Sequence, residues 1–185
     1  MVILIDMDDT MEQLLKAWLE RVNAKYNKNV AYEEIKSWDV SAPYEGLTRE
    51  QVYDVIKEPG FWGTVEPIEG AAEAIKHFME AGHEVFIVTA TDYESVPEKM
   101  DDLLFKWFPF IDWHQVIITK HKELIHGHVM IDDGVHNLEG NPCNIKILMT
   151  APHNVEYDAE KNGMIRVRNW SEIEEVVNQR DIKGI

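Results

Sequence analysis

Two hydrophobic rhythms alternate along this chain. Val2–Ile5 is four consecutive aliphatic residues, and similar short runs recur at Glu84–Val88, Gln115–Ile118, His128–Ile131, Ile145–Met149 and Met164–Val167. Runs that short, with little polar alternation, predict strands buried on both faces of a parallel sheet. Between them, apolar residues return every three or four positions. Leu14, Leu15, Trp18, Leu19, Val22 and Tyr26 form one stripe over 12–26, which predicts an amphipathic helix. Thr48-Arg49-Glu50-Gln51 is a capping-box pattern opening a helix with Val52, Val55 and Ile56 inward, and Pro59-Gly60 ends it. Further helices are predicted over 71–81, stopped by Gly82, and over 97–108. A last one opens at the capping box Ser171-Glu172-Ile173-Glu174. Strands alternating with helices give an α/β fold, a Rossmann-like parallel sheet flanked by helices.

One stretch breaks the alternation. From about Leu14 to Val65 the pattern holds helices and an irregular segment at 36–47 but no strand. That separation far exceeds what a crossover between parallel strands needs. It predicts a small helical cap over 14–65, inserted after the first strand, with 1–13 and 66–185 forming the core.

Composition narrows the partners. The 185 residues suit one well-buried domain with a small insertion. The charge is −16, from 18 basic and 34 acidic residues, which disfavours polymeric nucleic acid as a partner. Cys143 is the single cysteine, so no internal disulfide forms, which suits a reducing compartment. No apolar run approaches a membrane span, and the chain opens directly on a strand. The expectation is a cytoplasmic protein with no membrane partner.

The candidate chemistry sits at strand ends. Val2–Ile5 runs into Asp6-Met7-Asp8-Asp9-Thr10, Glu84–Val88 into Thr89-Ala90-Thr91-Asp92, and His128–Ile131 into Asp132-Asp133-Gly134. Taken alone, D-x-D-x-T would equally suit a surface turn with Asp9-Thr10 capping a helix. In a parallel sheet, however, the carboxyl ends of the strands share one edge, where ligands bind. Two acidic clusters, a hydroxyl and nearby lysines describe a Mg²⁺–phosphate site, because Mg²⁺ takes oxygen ligands and pairs carboxylates with substrate phosphate. No His/Cys spacing suggests zinc, and His121, His126 and His128 read as loop residues.

These residues, in this order, resemble the four motifs of the haloacid-dehalogenase-like (HAD) phosphatases. Four segments are further similar to the 5′(3′)-deoxyribonucleotidases: FWGTVEPIEGAAEAIKHF (Phe61–Phe78), VFIVTA (Val85–Ala90), ITKHK (Ile118–Lys122) and MIDD (Met130–Asp133). The similarity spans roughly residues 1–140 and is less distinct in the tail. The nucleotidases usually carry glycine where this chain has Asp9.

The resemblance implies a Mg²⁺-dependent hydrolase of deoxyribonucleoside monophosphates. Asp6 would be the nucleophile, forming an aspartyl-phosphate. Asp8 would protonate the departing sugar oxygen, then activate water, and would lend its main-chain carbonyl to the metal. Asp133 would complete the metal ligands beside Asp6, with Asp132 orienting it. Thr89 and the Ala90 amide would hold the phosphoryl group, with Lys122 as the phosphate-binding cation, Lys99 a second candidate and Lys120 a third. Trp38, Phe61 and Trp62 would line an aromatic base pocket, with Leu14 and Trp18 behind. Two other readings stand beside this one: the same chemistry on a sugar phosphate or other small phosphomonoester, and a non-catalytic module binding phosphorylated ligands. The expected partner is a small molecule, and a homodimer is left open.

Overall fold

In a computed structural model, which describes residues 1–182, six strands form one parallel sheet. They are β1 Val2–Ile5, β2 Glu84–Thr89, β3 Val116–Ile118, β4 Val129–Asp132, β5 Ile145–Met149 and β6 Ile165–Val167. Their spatial order is β3-β2-β1-β4-β5-β6, every neighbouring pair parallel. The strands therefore fan out in opposite directions from the β1–β4 boundary, and the crevice at such a reversal is where open α/β sheets bind ligands.

Side chains alternate across the central strands. Ile3, Ile5, Val129, Ile131, Ile145 and Ile147 enter the larger hydrophobic cluster, while Leu4, Met130 and Leu148 enter a smaller one on the opposite face. Both faces are thus buried, as the unbroken apolar runs predict.

The helices are α1 Leu14–Tyr26, α2 Arg49–Tyr53, α3 Ala71–Glu80, α4 Val96–Glu98, α5 Phe105–Trp107, α6 Val135–Glu139 and α7 Trp170–Ile182. Helix α1 buries the predicted stripe, with Tyr26 partly covered. The Thr48 capping box forms: Gln51 N donates to Thr48 Oγ1 at 3.2 Å, and Thr48 N donates to Gln51 Oε1 at 2.8 Å. Residues 14–65 contain helices and turns only, and Trp18 is fixed there by its Nε1 donating to Val52 O at 2.8 Å. No helix among the described residues is long and apolar enough to cross a membrane.

Two local expectations are corrected. Helix α7 is capped two residues earlier than Ser171: Asn169 Oδ1 accepts from Glu172 N, and the Glu172 carboxylate accepts from Arg168 N. The asparagine wins because Trp170 must enter the core, where its Nε1 donates to Thr10 O at 2.9 Å. The predicted helix over 97–108 is also not continuous α. Between α4 and α5, Lys99–Leu104 forms a π-helix, bonded i→i+5, a geometry found mostly as short insertions and frequently at functional sites. Within it Lys99, Met100, Leu103 and Leu104 are buried, while Asp101 and Asp102 face solvent.

Candidate active site

The loop after β1 is held before its side chains act. Asp6 N donates to Ile131 O at 2.9 Å, carrying the β1–β4 pairing one residue past the strand. Trp170 anchors the loop at Thr10. Asp6 is 4% exposed, and its Oδ1 receives Met7 N at 2.7 Å and Lys122 Nζ at 2.6 Å. Burial and the neighbouring Asp132 carboxylate push the Asp6 carboxyl up to about 7, against the pull of Lys122.

Asp9 has φ +52°, in the left-handed region that glycine enters freely and that aspartate tolerates better than most residues. Its carboxyl caps α1, accepting from Leu15 N at 2.9 and 3.2 Å, so the capping role open to Asp9 is realised. Burial pushes this carboxyl up to about 8.

Two lysines divide the acids between them. Lys122 lies in a short 3-10 turn beyond β3 and bridges Asp6 Oδ1 at 2.6 Å and Asp132 Oδ2 at 2.7 Å. Lys99 is fully buried, with its Nζ 2.6 and 2.7 Å from the two Asp8 carboxyl oxygens. It also donates to Thr89 Oγ1 at 3.0 Å and sits 4.6 Å from the Trp62 ring centroid, a cation–π contact. Lys120 is exposed and 3.7 Å from Asp92.

At the end of β4 the two aspartates differ in what they receive. Asp132 Oδ1 accepts from Gly134 N at 2.7 Å and Asn137 Nδ2 at 2.9 Å, while Oδ2 accepts from Lys122. Gly134 is required there, since an added Cβ would lie 2.7 Å from Asn137 Nδ2 and 2.9 Å from Asp132 Oδ1. Asp133 is buried with Oδ1 unpartnered, and its Oδ2 lies 3.3 Å from His153 Nε2. Burial and the surrounding carboxylates hold Asp133 well above the usual carboxylate range. Oxygens of Asp6, Asp132 and Asp133 lie within 4.8 Å of one another. Three buried carboxylates that close, one with an orphaned oxygen, fit a hard divalent cation.

A cavity of about 390 Å³ opens beside this cluster, within the size range of small-molecule sites. Asp6, Asp8, Asp9, Ala90, Lys122 and Asp133 line its polar end, and Leu14, Leu15, Trp18, Ile35, Val40 and Ile56 its apolar wall. Trp38, half exposed, spans to the core, packing edge-on against His136 at 4.6 Å and His153 at 5.1 Å between ring centroids.

The structure brings together Asp6, Asp8, Thr89, Ala90, Lys99, Lys122, Asp132 and Asp133, and sets Leu14 and Trp38 on the cavity. Phe61 and Trp62 do not line it. Both are buried, packed against each other at 5.4 Å, because the turn Trp62–Thr64 points them into the core beneath Lys99. Thr89 and Lys99 stand behind Asp8 rather than on the cavity wall. Trp18, expected in support, is part of that wall. His121, His126 and His128 are exposed, as expected of loop residues. Sequence reasoning missed His136, His153 and Glu12. Glu12 is fully buried with no donor group at either carboxyl oxygen, and the sequence shows it only as an acid after Met11 at the start of the predicted helical stripe.

The chain is similar to known proteins along nearly its whole length. The family model described as "5′ nucleotidase, deoxy (Pyrimidine), cytosolic type C protein" matches residues 1–182. A 5′(3′)-deoxyribonucleotidase of Bacillus subtilis is 34% identical over 177 residues, covering 94% of this chain and 96% of the relative. One of Clostridium acetobutylicum is 32% identical over 168 residues, covering 91% and 89%. Among solved structures, a HAD family hydrolase from Deinococcus radiodurans superposes with TM-score 0.61 at 16% identity, covering 96% of this chain and 95% of the other. A hydrolase from Pseudomonas syringae gives 0.58 at 13%, covering 96% and 98%. At such identities these two speak for the fold alone.

Proposed function

This chain belongs to the 5′(3′)-deoxyribonucleotidase family and is a phosphomonoester hydrolase; on that premise we propose that it dephosphorylates deoxyribonucleoside monophosphates at Asp6 through an aspartyl-phosphate. The observation that carries this reading is the division of two neighbouring carboxylates between two buried cations. Asp6 is bound to Lys122 and Asp8 to Lys99, at the polar end of a cavity whose far wall is apolar.

Each side chain then has a task. Both donors to Asp6 fall on Oδ1, which leaves Oδ2 to attack phosphorus as the ester P–O bond breaks. Asp8, whose side chain keeps 24% exposure, gives the leaving sugar oxygen its proton. It then takes a proton from the water that attacks the aspartyl-phosphate, releasing inorganic phosphate and regenerating Asp6. Lys122 offsets charge on the transferring phosphoryl group. The Ala90 amide holds its oxygens, and Lys99, backed by the Thr89 hydroxyl, keeps Asp8 in place from behind. Asp6, Asp133 and the Asp8 main-chain carbonyl would hold Mg²⁺, with Asp132 orienting them. The bound ion would supply the positive charge that lets a phosphate dianion approach a carboxylate.

Residues 14–65 act as the cap over this site, and 1–13 with 66–185 as the core, of which 183–185 lie outside the described residues. The base lies against Trp38, Leu14 and Trp18, and stacking on an aromatic ring is worth about 1–3 kcal/mol. Asp6→Asn tests the mechanism, because the amide keeps the shape without the nucleophile. In single-turnover mixing with a deoxynucleoside monophosphate and Mg²⁺, the variant is expected to fold, release no phosphate and trap no fluoroberyllate. Substantial phosphate release would refute covalent catalysis at Asp6.

A further inference from the structure

Among the described residues the buried carboxyls are Asp6, Glu12, Asp132 and Asp133, and the chemistry above leaves Glu12 unused. Glu12 has 0% exposure, and no N–H or O–H donor reaches Oε1 or Oε2; its side-chain neighbour is the Asp8 carboxyl. Its backbone is held on both sides, bridging Asp8 and Pro67, with its N–H directed at Met7 O at 3.4 Å. The side chain therefore has no route to water. Its carboxyl faces the Asp8 carboxyl and the Lys99 ammonium.

Burying a carboxyl without a donor is costly, and an apolar side chain of similar length would avoid that cost. Met7 and Met11, both wholly buried on the same loop, show that methionine packs well there. An unsatisfied buried acid beside a reacting group points to a function.

We propose that Glu12 is a positioning residue for the proton-delivering step, holding the Asp8 carboxyl out toward the cavity. Lys99 draws Asp8 inward through contacts of 2.6 and 2.7 Å, and is itself backed by Thr89 and the Trp62 ring. Glu12, wholly buried and bridged to Asp8 through the backbone, sets its own carboxyl against the Asp8 carboxyl from the protein interior. Asp8 thus stays partly exposed on the cavity wall, within reach of the leaving oxygen.

The inference rests on Asp8 as the acid that protonates the leaving group, and the test separates the two ideas. The value of kcat/KM is compared for a deoxyribonucleoside 5′-monophosphate, whose alkoxide needs a proton, and for p-nitrophenyl phosphate, whose leaving group does not. Glu12→Met is expected to lower the first by about 10–100-fold, part of what a general acid contributes. The second should fall by less than about threefold, and Glu12→Gln, which keeps length and a polar end, should restore most of the loss. A ratio of two rates on one sample cancels incomplete folding, which a purely structural defect could not pass. Should Glu12→Met fail to fold, Glu12→Asp withdraws the carboxyl by one methylene and should shift the ratio the same way. Parallel loss on both substrates, or no loss, overturns the proposal when Asp8→Asn does discriminate between them. If Asp8→Asn does not discriminate, the acid role of Asp8 has failed and the Glu12 proposal falls with it.

Discussion

Replacing Lys122 by methionine removes an ammonium and keeps its stem. In the native arrangement that ammonium lies 2.6 Å from Asp6 and 2.7 Å from Asp132, with its side chain only 4% exposed. The three clustered carboxyls, Asp6, Asp132 and Asp133, would then face one another with no bonded cation between them. Removing one partner of a buried pair costs roughly 3–5 kcal/mol, and the two contacts share one ammonium, so they are not counted twice. At about 2–4 °C per kcal/mol for a domain of this size, melting in EDTA should fall by roughly 6–20 °C. Added Mg²⁺ should narrow that gap, because a more anionic cluster gains more from a divalent cation. Turnover should not recover with it: phosphate release is expected to stay about 10²–10³-fold down, since the donor to the phosphoryl group is gone. Thermal melts with EDTA and with Mg²⁺, paired with steady-state phosphate release, read both effects. A variant melting within about 2 °C of the parent in EDTA would refute the reasoning.

Stability should also depend on pH in a way that metal reverses. In the metal-free protein the Asp6 carboxyl is pushed up to about 7 from 3.8, so the folded chain keeps a proton that the unfolded chain has lost between those values. Stability from this group is therefore full below about pH 4 and falls as pH rises to about 7, by on the order of 4 kcal/mol. Asp6→Asn should flatten that slope by about one proton in denaturant titrations, and saturating Mg²⁺ should flatten it in the parent. Trp38→Ala should lower kcat/KM for nucleotides by about 5–150-fold, the equivalent of about 1–3 kcal/mol of stacking, and spare p-nitrophenyl phosphate. Equal loss on both substrates would place Trp38 outside the base pocket.

Much of the site was legible because strand ends share an edge. Asp6, Thr89 and Asp132 each follow a buried apolar run, and parallel pairing alone brings them together. The Thr48 cap was legible too, since its signal is local. What escaped depends on packing that no spacing encodes. Phe61 and Trp62 resembled pocket aromatics until the turn carrying them proved to face the core. Ser171 lost the cap to Asn169 because Trp170 had to reach Thr10. Glu12 looked like an ordinary helix-entry acid, and only three-dimensional burial sets it apart.

The π-helix at Lys99–Leu104 acts as an indexing device. An α-helix advances about 100° per residue, so one residue more or fewer in a turn rotates everything beyond it by more than a quarter revolution. Trimming this segment to plain α geometry, for instance by deleting solvent-facing Asp101, would leave two incompatible settings. Either Leu103 and Leu104 would keep their seats and Lys99 would swing off Asp8, or the lysine would hold and the leucines would unseat. Reach of a cation across the molecule is thereby geared to the pitch of a single helical turn.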